Sequence, residues 1–291
     1  MADDDDPGPI VQRLIFGAQM AELREAAGLN VDQANTAIGE ALAGNKAGRG
    51  WYRGKLGKVE NGDLNLTDAE LDVVFALYGV SGRRSDEARQ LAVEARRKLA
   101  PARVPDHNRK YVWFERAADQ LRQYYASSVP GPLQTAEYAL AQMSTSLVIP
   151  PVDMLTIAQD RVARGDRFLN DPARELHVVL EEAAVRRPIG GPSVLAGQLD
   201  RLLKFADAPN VDLRVVPQSS GGHAAVEYTF TLLYIARARA SIVYVEGLTS
   251  ADYLARPAHT QTYNLAFESA RRAALGAAET VELLRAIRDE S

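Results

Sequence analysis

Along the first hundred residues the apolar positions recur with a helical period, and a strand period takes over only beyond residue 170. Ile10, Leu14, Ala18, Met20 and Leu23 line one face of a first helix that Gly28 terminates. "LNVDQANTAIG" predicts a second, short helix, capped by Asn30 and closed by Gly39. A third is expected over 51–59, although Gly54 and Gly57 each weaken it by about 1 kcal/mol relative to alanine. "NGD" at 61–63 marks a turn. In "LTDAELDVVFALYGV", Thr67 and Glu70 have the spacing of a capping box, and Leu71, Val74, Phe75, Leu77 and Tyr78 form the apolar face.

"SDEARQLAVEARRKLA" predicts a helical connector running to Pro101 and Pro105, taken as the domain boundary. Helices are expected over 109–126, 135–144 and 152–169. β-rich runs follow at 175–181, 211–217, 227–235 and 241–247, with an amphipathic helix over 192–206 between the first two. Two helices, 258–275 and 278–289, end the pattern. Helices, then strands, then helices indicate an α+β domain. The expected chain is multidomain: an acidic disordered tail (1–9), an all-α domain (10–80), a helical connector (81–106) and an α+β domain (107–291).

Composition narrows the chemistry. There is no cysteine, so disulfides and thiolate metal sites are excluded. The four histidines, His107, His177, His223 and His259, never take the i, i+4 spacing of a helical metal pair. No apolar run reaches the length of a membrane helix, and "MADDDDPGP" is unlike a basic signal segment, so a cytoplasmic protein without membrane contact is expected. The net charge is −4, yet Lys46, Arg49, Arg53, Lys55 and Lys58 fall in one window, and a second basic block runs from Arg83 to Lys110. Concentrated positive charge attracts phosphate whatever the total.

A pair of short helices followed by a basic one is the sequence form of a helix-turn-helix. "GAQMAELREAAGLNVDQANTAIG", "WYRGKLGKVENG" and "LTDAELDVVFALYGV" together resemble the lambda-repressor-like, xenobiotic-response-element type of transcription regulator. Leu29, Ile38 and Gly39 match that family's helix pair. Val59, Glu60 and Gly62 match the end of its recognition helix. Val31 stands where the family has a phosphate-side glutamine, with Gln33 close by. Glu40 to Gly50 is an insertion of about eleven residues relative to the family pattern. It reads either as a tolerated surface loop, since doubling a loop costs only about 0.6 kcal/mol, or as an arm whose Lys46 and Arg49 extend the phosphate footprint. Trp51 is expected to pack under the recognition helix.

The resemblance extends beyond residue 107. "WFERAADQLRQYYASSVPGPLQTAEYALA", "LEEAAVRRPIGGPSVLAGQLDRLL", "PNVDLRVVP", "GGHAAVEYTFTLL" and "IVYVEGLTSADYL" resemble, in order, the C-terminal domain of a large actinobacterial class of such regulators. In that class the domain is regarded as antitoxin-like or regulatory, and its members sit beside genes for small proteins thought to be partners.

The resemblance implies a sequence-specific regulator of double-stranded DNA, acting as a homodimer with half-sites about 34 Å apart. Lys46, Arg49 and Gln33 are assigned to phosphates, and Tyr52, Arg53, Lys55 and Lys58 to the groove-facing surface. In the second half, Gln134 follows a proline-glycine turn, Arg186 and Arg187 precede a helix N-terminus where an anion can sit, and His223 lies in a glycine loop; these are candidates for a ligand or partner site. Glu181 and Glu182 are neighbours on a strand and point to opposite faces. No serine or cysteine nucleophile motif accompanies His223, so no catalytic residue, metal or cofactor is expected. The rival reading is an antitoxin-like module that binds a small partner protein, with weak or no DNA binding. A third is a small-molecule sensor.

Overall fold

The computed structural model describes residues 8–44, 50–97 and 109–291, apart from the side chains of Gly8 and Arg109. Lys46 and Arg49, His107, both prolines of the expected boundary and most of the acidic tail lie outside the described residues. The chain forms two compact units, 1–101 with 235–240, and 102–234 with 241–291.

The first unit contains helices α1 (Gly8–Ala26), α2 (Val31–Leu42), α3 (Lys55–Glu60), α4 (Asp68–Tyr78) and α5 (Arg83–Ala95). Its core is built from Phe16, Met20, Ile38, Leu56, Val59, Leu71, Val74 and Phe75. The Asn30 and Thr67 caps form as expected, each within a capping box. Three boundaries differ from the pattern. Pro9 is not part of a free tail; it is buried in the first turn of α1, where its missing N–H is harmless. Gly39 does not end α2, which continues to Leu42. Its bare Cα instead leaves room for the Trp51 indole, since a Cβ there would come within 3.2 Å of the ring.

The expected connector is the fifth helix of this unit. Ala88, Ala92 and Ala95 form a small-residue stripe at i, i+4, i+7 and are fully buried in the core. Of the basic block, Arg83, Arg89 and Arg96 are paired within the unit, while Lys98 and Arg103 lie outside the described residues. Arg83 pairs with Glu87, Arg89 with Asp72 and Arg96 with Asp68, while Arg96 also donates to the Leu66 carbonyl.

The second unit is an α+β assembly around a mixed six-stranded sheet of order β3-β2-β1-β4-β5-β6. In chain order its elements are α6 (Arg109–Ala117), β1 (Gln120–Tyr125), α7 (Ala136–Met143), α8 (Pro151–Asn170), β2 (Glu175–Glu181), α9 (Glu182–Arg186), α10 (Pro192–Ala206), β3 (Val211–Val216), β4 (Phe230–Ile235), β5 (Ala240–Glu246), β6 (Ala251–Leu254), α11 (Pro257–Ala273) and α12 (Ala277–Glu290). β1 runs parallel to β2 and antiparallel to β4; β2 and β3 are parallel; β5 and β6 are antiparallel.

The expected helix over 109–126 is split, and its second half is the central strand β1. Ala117, Leu121, Tyr124 and Tyr125 have helical spacing, which is why the segment reads as one helix. In the sheet Leu121 and Tyr125 share one face with Gln123, and Tyr124 takes the other. Tyr124 joins Val179, Phe230, Leu232, Val243 and Phe267 on the α11 side. Gln123 is buried on the other side, with Nε2 within 3.4 Å of the Thr231 hydroxyl and 3.3 Å of the Tyr111 hydroxyl. Among the described residues, no helix is long and apolar enough to cross a membrane.

Candidate functional sites

In the first unit the basic window sits on α3 and the turn before it, and the structure sorts its residues by burial. Tyr52, Arg53 and Lys58 are exposed, and the Lys58 ammonium lies 5.5 Å from the centre of the Tyr52 ring. Lys55, assigned to the same surface from the sequence, is not there. It is 8 % exposed and its Nζ lies 2.5 Å from Oε1 of Glu70, itself 1 % exposed. Nζ also donates to the Gly50 carbonyl and lies over the Trp51 ring. The other oxygen of Glu70 accepts from the Thr67 backbone in the α4 capping box. One carboxylate therefore caps α4 and neutralises Lys55. A buried pair of this kind turns inward because neither charge tolerates losing the other.

The six residues of α3 are too few to hold a helix in isolation, so neighbouring helices must fix it. Leu56 and Val59 are fully buried. Gly54 at the N-cap has no side chain to offer, and Asn35 of α2 supplies the cap instead: its Oδ1 accepts from the Leu56 backbone N–H at 3.1 Å. The Trp51 indole donates to the Asn35 carbonyl at 3.0 Å, so Trp51 bridges α2 and the entry to α3, as a packing role predicts.

At the other end of α3, the Glu60 carboxylate accepts two hydrogen bonds from Arg24 of α1, at 2.7 and 3.1 Å, while Arg24 also donates to the Leu29 carbonyl. The Glu60 hydrogen bond raises the Arg24 guanidinium above its ordinary pKa. Helix α1 passes close behind, since a Cβ on Gly17 would fall 2.5 Å from the Val59 carbonyl oxygen. Asn35 and Arg24 were missed from the sequence. Their partners lie 21 and 36 residues away, and neither residue belongs to a local motif that marks it.

Gln33 is exposed in the first turn of α2, with its side-chain oxygen accepting from the Asn30 backbone at 3.0 Å. That geometry leaves its amide N–H₂ as the donor. The result is an exposed set, Gln33 on α2 and Tyr52, Arg53 and Lys58 at α3, carried on helices held by Asn35, Trp51 and the Arg24–Glu60 pair.

The four residues singled out in the second unit have different surroundings. Gln134 is buried; its Nε2 donates to the Val129 carbonyl and to Gln142, and its Oε1 accepts from Arg161 at 2.7 Å. Arg186 is not an open anion site, because Glu182 and Glu290 already pair with it at 2.6 and 3.0 Å. Arg187 is exposed. His223 has a side chain only 2 % exposed, accepts from the Ala225 N–H at Nδ1, and therefore donates from Nε2 to Glu181 at 2.8 Å. The Tyr124 hydroxyl donates to the same Glu181 oxygen. Burial, with Glu181 adding, raises the Tyr124 phenol far above its ordinary pKa. These three groups satisfy one another across the end of the sheet. Glu182, opening α9, accepts from the Gln218 backbone instead, so the adjacent glutamates serve separate networks.

On the α11 face, β-strand register brings Arg122, His177 and Asp212 side by side. Burial works to raise the Asp212 carboxyl, but His177 at 3.9 Å and the hydrogen bonds from Arg214 and Arg271 outweigh it and hold the group well below the usual carboxylate range.

Neither a curated protein nor a solved structure matches this chain. One family profile does, over residues 108–286, more than half the chain and almost all of the second unit's own sequence. The chain belongs to the family described as "Domain of unknown function (DUF5753)".

Proposed function

We propose that the protein is a sequence-specific, homodimeric DNA-binding transcription regulator whose first unit is a helix-turn-helix of the lambda-repressor-like, xenobiotic-response-element type and whose second unit receives a signal. The observation that supports it best is the exposed set Gln33 on α2, Tyr52 and Arg53 in the turn before α3 and Lys58 on α3, while Leu56, Val59 and Lys55 face the core. In this reading α3 and the turn before it present Lys58 and Arg53 to the major groove, and the Gln33 amide donates to a phosphate. An arginine that reads guanine with two hydrogen bonds discriminates by about 1–3 kcal/mol, and a lysine on phosphate changes affinity about equally for all sequences. The first part of the insertion lengthens α2 to Leu42. The test is recovery of bound fragments from a random duplex pool, followed by gel shifts with the wild type and Arg53→Ala/Lys58→Ala. Equal binding by the two proteins contradicts the assignment.

A second reading, a module whose main act is to hold a small partner protein, is favoured by one observation. The second unit exposes Leu147, Val152 and Leu155 on α8 and the segment before it. Clustered apolar exposure of this kind marks interaction surfaces. Co-purification of a small protein with no recovered DNA would favour it.

A further inference from the structure

Between β1, the end of β5 and the α7–α8 pair lies a cavity of about 440 Å³, within the size range of small-molecule sites. Arg161 and Arg164 of α8 both line it, together with Gln134, Gln142 and Tyr125. The two arginines differ in how their charge is met. Arg164 pairs with the buried Glu115, Nε to Oε1 at 3.3 Å, while its Nη1 is shielded from solvent without a hydrogen-bond partner among the described residues. Arg161 makes no ion pair among the described residues. Its Nη1 is held only by neutral amide oxygens, those of Gln134 at 2.7 Å and Gln142 at 3.1 Å.

A guanidinium removed from water and faced by neutral dipoles is a charge in want of a partner. Burial first, and then the neighbouring Arg164, lower its pKa below the ordinary value. Arg164 is matched by Glu115, and Glu246 at the exposed edge of the lining is hydrogen-bonded to Tyr244, so Arg161 is the one cation of the lining without an ion pair among the described residues and the cavity holds no surplus charge for a dianion. One charge suits a monoanion better than a dianion. Tyr125, whose phenol burial pushes far up, stays protonated as a donor. Met143, Ile149, Ile157 and Leu248 give part of the wall an apolar surface, beside the hydroxyls of Ser127, Ser128, Ser146 and Thr229.

We propose that this cavity is a ligand site for a small monocarboxylate with an apolar body, its carboxylate on Arg161 and its body against Met143, Ile149 and Ile157. The planar fork of arginine matches a carboxylate, and the amides of Gln134 and Gln142 hold that fork in place. The inference rests on the reading of the second unit as the signal-receiving part, and it does not depend on the first unit binding DNA.

The experiment is calorimetric titration of the full chain with octanoate and 4-phenylbutyrate, each against its primary amide, and with a hydrophobic tripeptide bearing a free C-terminus. The acids are expected to bind and the amides to bind at least about tenfold more weakly, because one charge-assisted contact is lost. Arg161→Gln, which keeps an amide in place of the charge, is expected to lose about 30-fold or more in affinity for the acids. Arg186→Gln, outside the cavity, is expected to bind as the wild type does. Methyl NMR of the wild type gives a readout independent of any variant: 4-phenylbutyrate is expected to shift the Met143 and Ile157 methyl signals. Absence of binding by either acid, equal binding of acids and amides, or shifts confined to other methyl groups would overturn the proposal. Binding of the tripeptide alone would overturn the small-molecule assignment in favour of a partner's C-terminus. None of these outcomes bears on whether DNA is bound.

Discussion

The α3 surface of the first unit and the α8 cavity of the second both carry unpaired arginine, in opposite settings. Arg53 and Lys58 stand in solvent, where their charge costs nothing and acts at a distance set by salt. Arg161 is half-buried on a cavity wall, where burial lowers its pKa and its charge meets neutral amides. An exposed cation suits a polyanion met along a surface; a buried one suits a single small counter-ion. Lys55, three positions from Lys58, shows how narrow the division is: the same residue type in the same window is consumed by a buried carboxylate. Basic residues in a sequence window therefore do not share a role until their carboxylates are located.

The largest effects should come from breaking the buried pairs that hold α3. Lys55→Ala is expected to destabilise the first unit by about 3–5 kcal/mol, because it leaves the buried Glu70 unpaired, and Glu60→Ala by less, because Arg24 keeps Glu25 at 3.3 Å and the Leu29 carbonyl. Chemical denaturation of the first unit measures this, and wild-type stability for either variant would show that the pairs do not fix the helix. Next in size is the loss of DNA affinity in Arg53→Ala, about 1–3 kcal/mol on the selected site and less on random duplex, with unfolding unchanged. Asn35→Ala should cost about 0.5–2 kcal/mol of stability through the lost cap, and weaken DNA binding through misplacement of α3. Rescue of binding but not stability by Asn35→Asp would break that link.

The smallest effect is a pH dependence in the second unit. Asp212 is depressed in the folded state, so its contribution is present above the unfolded carboxylate value of about 3.9 and fades as pH falls through the lower folded value. Asp212→Asn should therefore be less stable than the wild type at neutral pH, and the difference should shrink on acidification below about pH 4. A difference that grows on acidification would reverse the sign and exclude the network as its source.

Local chemistry was the legible part of the sequence. The Asn30 and Thr67 caps, the amphipathic faces of α4 and α10 and the four β-rich runs all depend on residues close in sequence, and each formed near its expected place. Where a segment's partner is remote, pattern alone misled. β1 reads as helix because its apolar spacing is helical, and only pairing with β2 and β4 makes it a strand. α5 reads as a connector because alanines carry little hydrophobic signal, yet their smallness is what lets the helix enter the core. In the lining of the proposed cavity, Gln134 was among the residues singled out from the sequence and Arg161 was not. One of three arginines along an amphipathic helix has nothing in sequence to show that it alone faces neutral amides.

The central claim, that the exposed cations of α3 and not the whole basic window meet DNA, is tested most directly by salt dependence. The measurement is the slope of log K against log salt for the selected duplex, with the wild type, Arg53→Ala/Lys58→Ala and Lys55→Met, whose methionine keeps the buried stem but leaves Glu70 without its partner, so that its folding is verified first. Each phosphate-neutralising cation contributes about 0.9 to the slope. The double variant is expected to lose affinity and to flatten the slope by up to about 1.8 if both cations lie on phosphate, and by less where Arg53 reads a base. Lys55→Met is expected to keep the wild-type slope. An unchanged slope in the double variant, or a flattened one in folded Lys55→Met, would contradict the account.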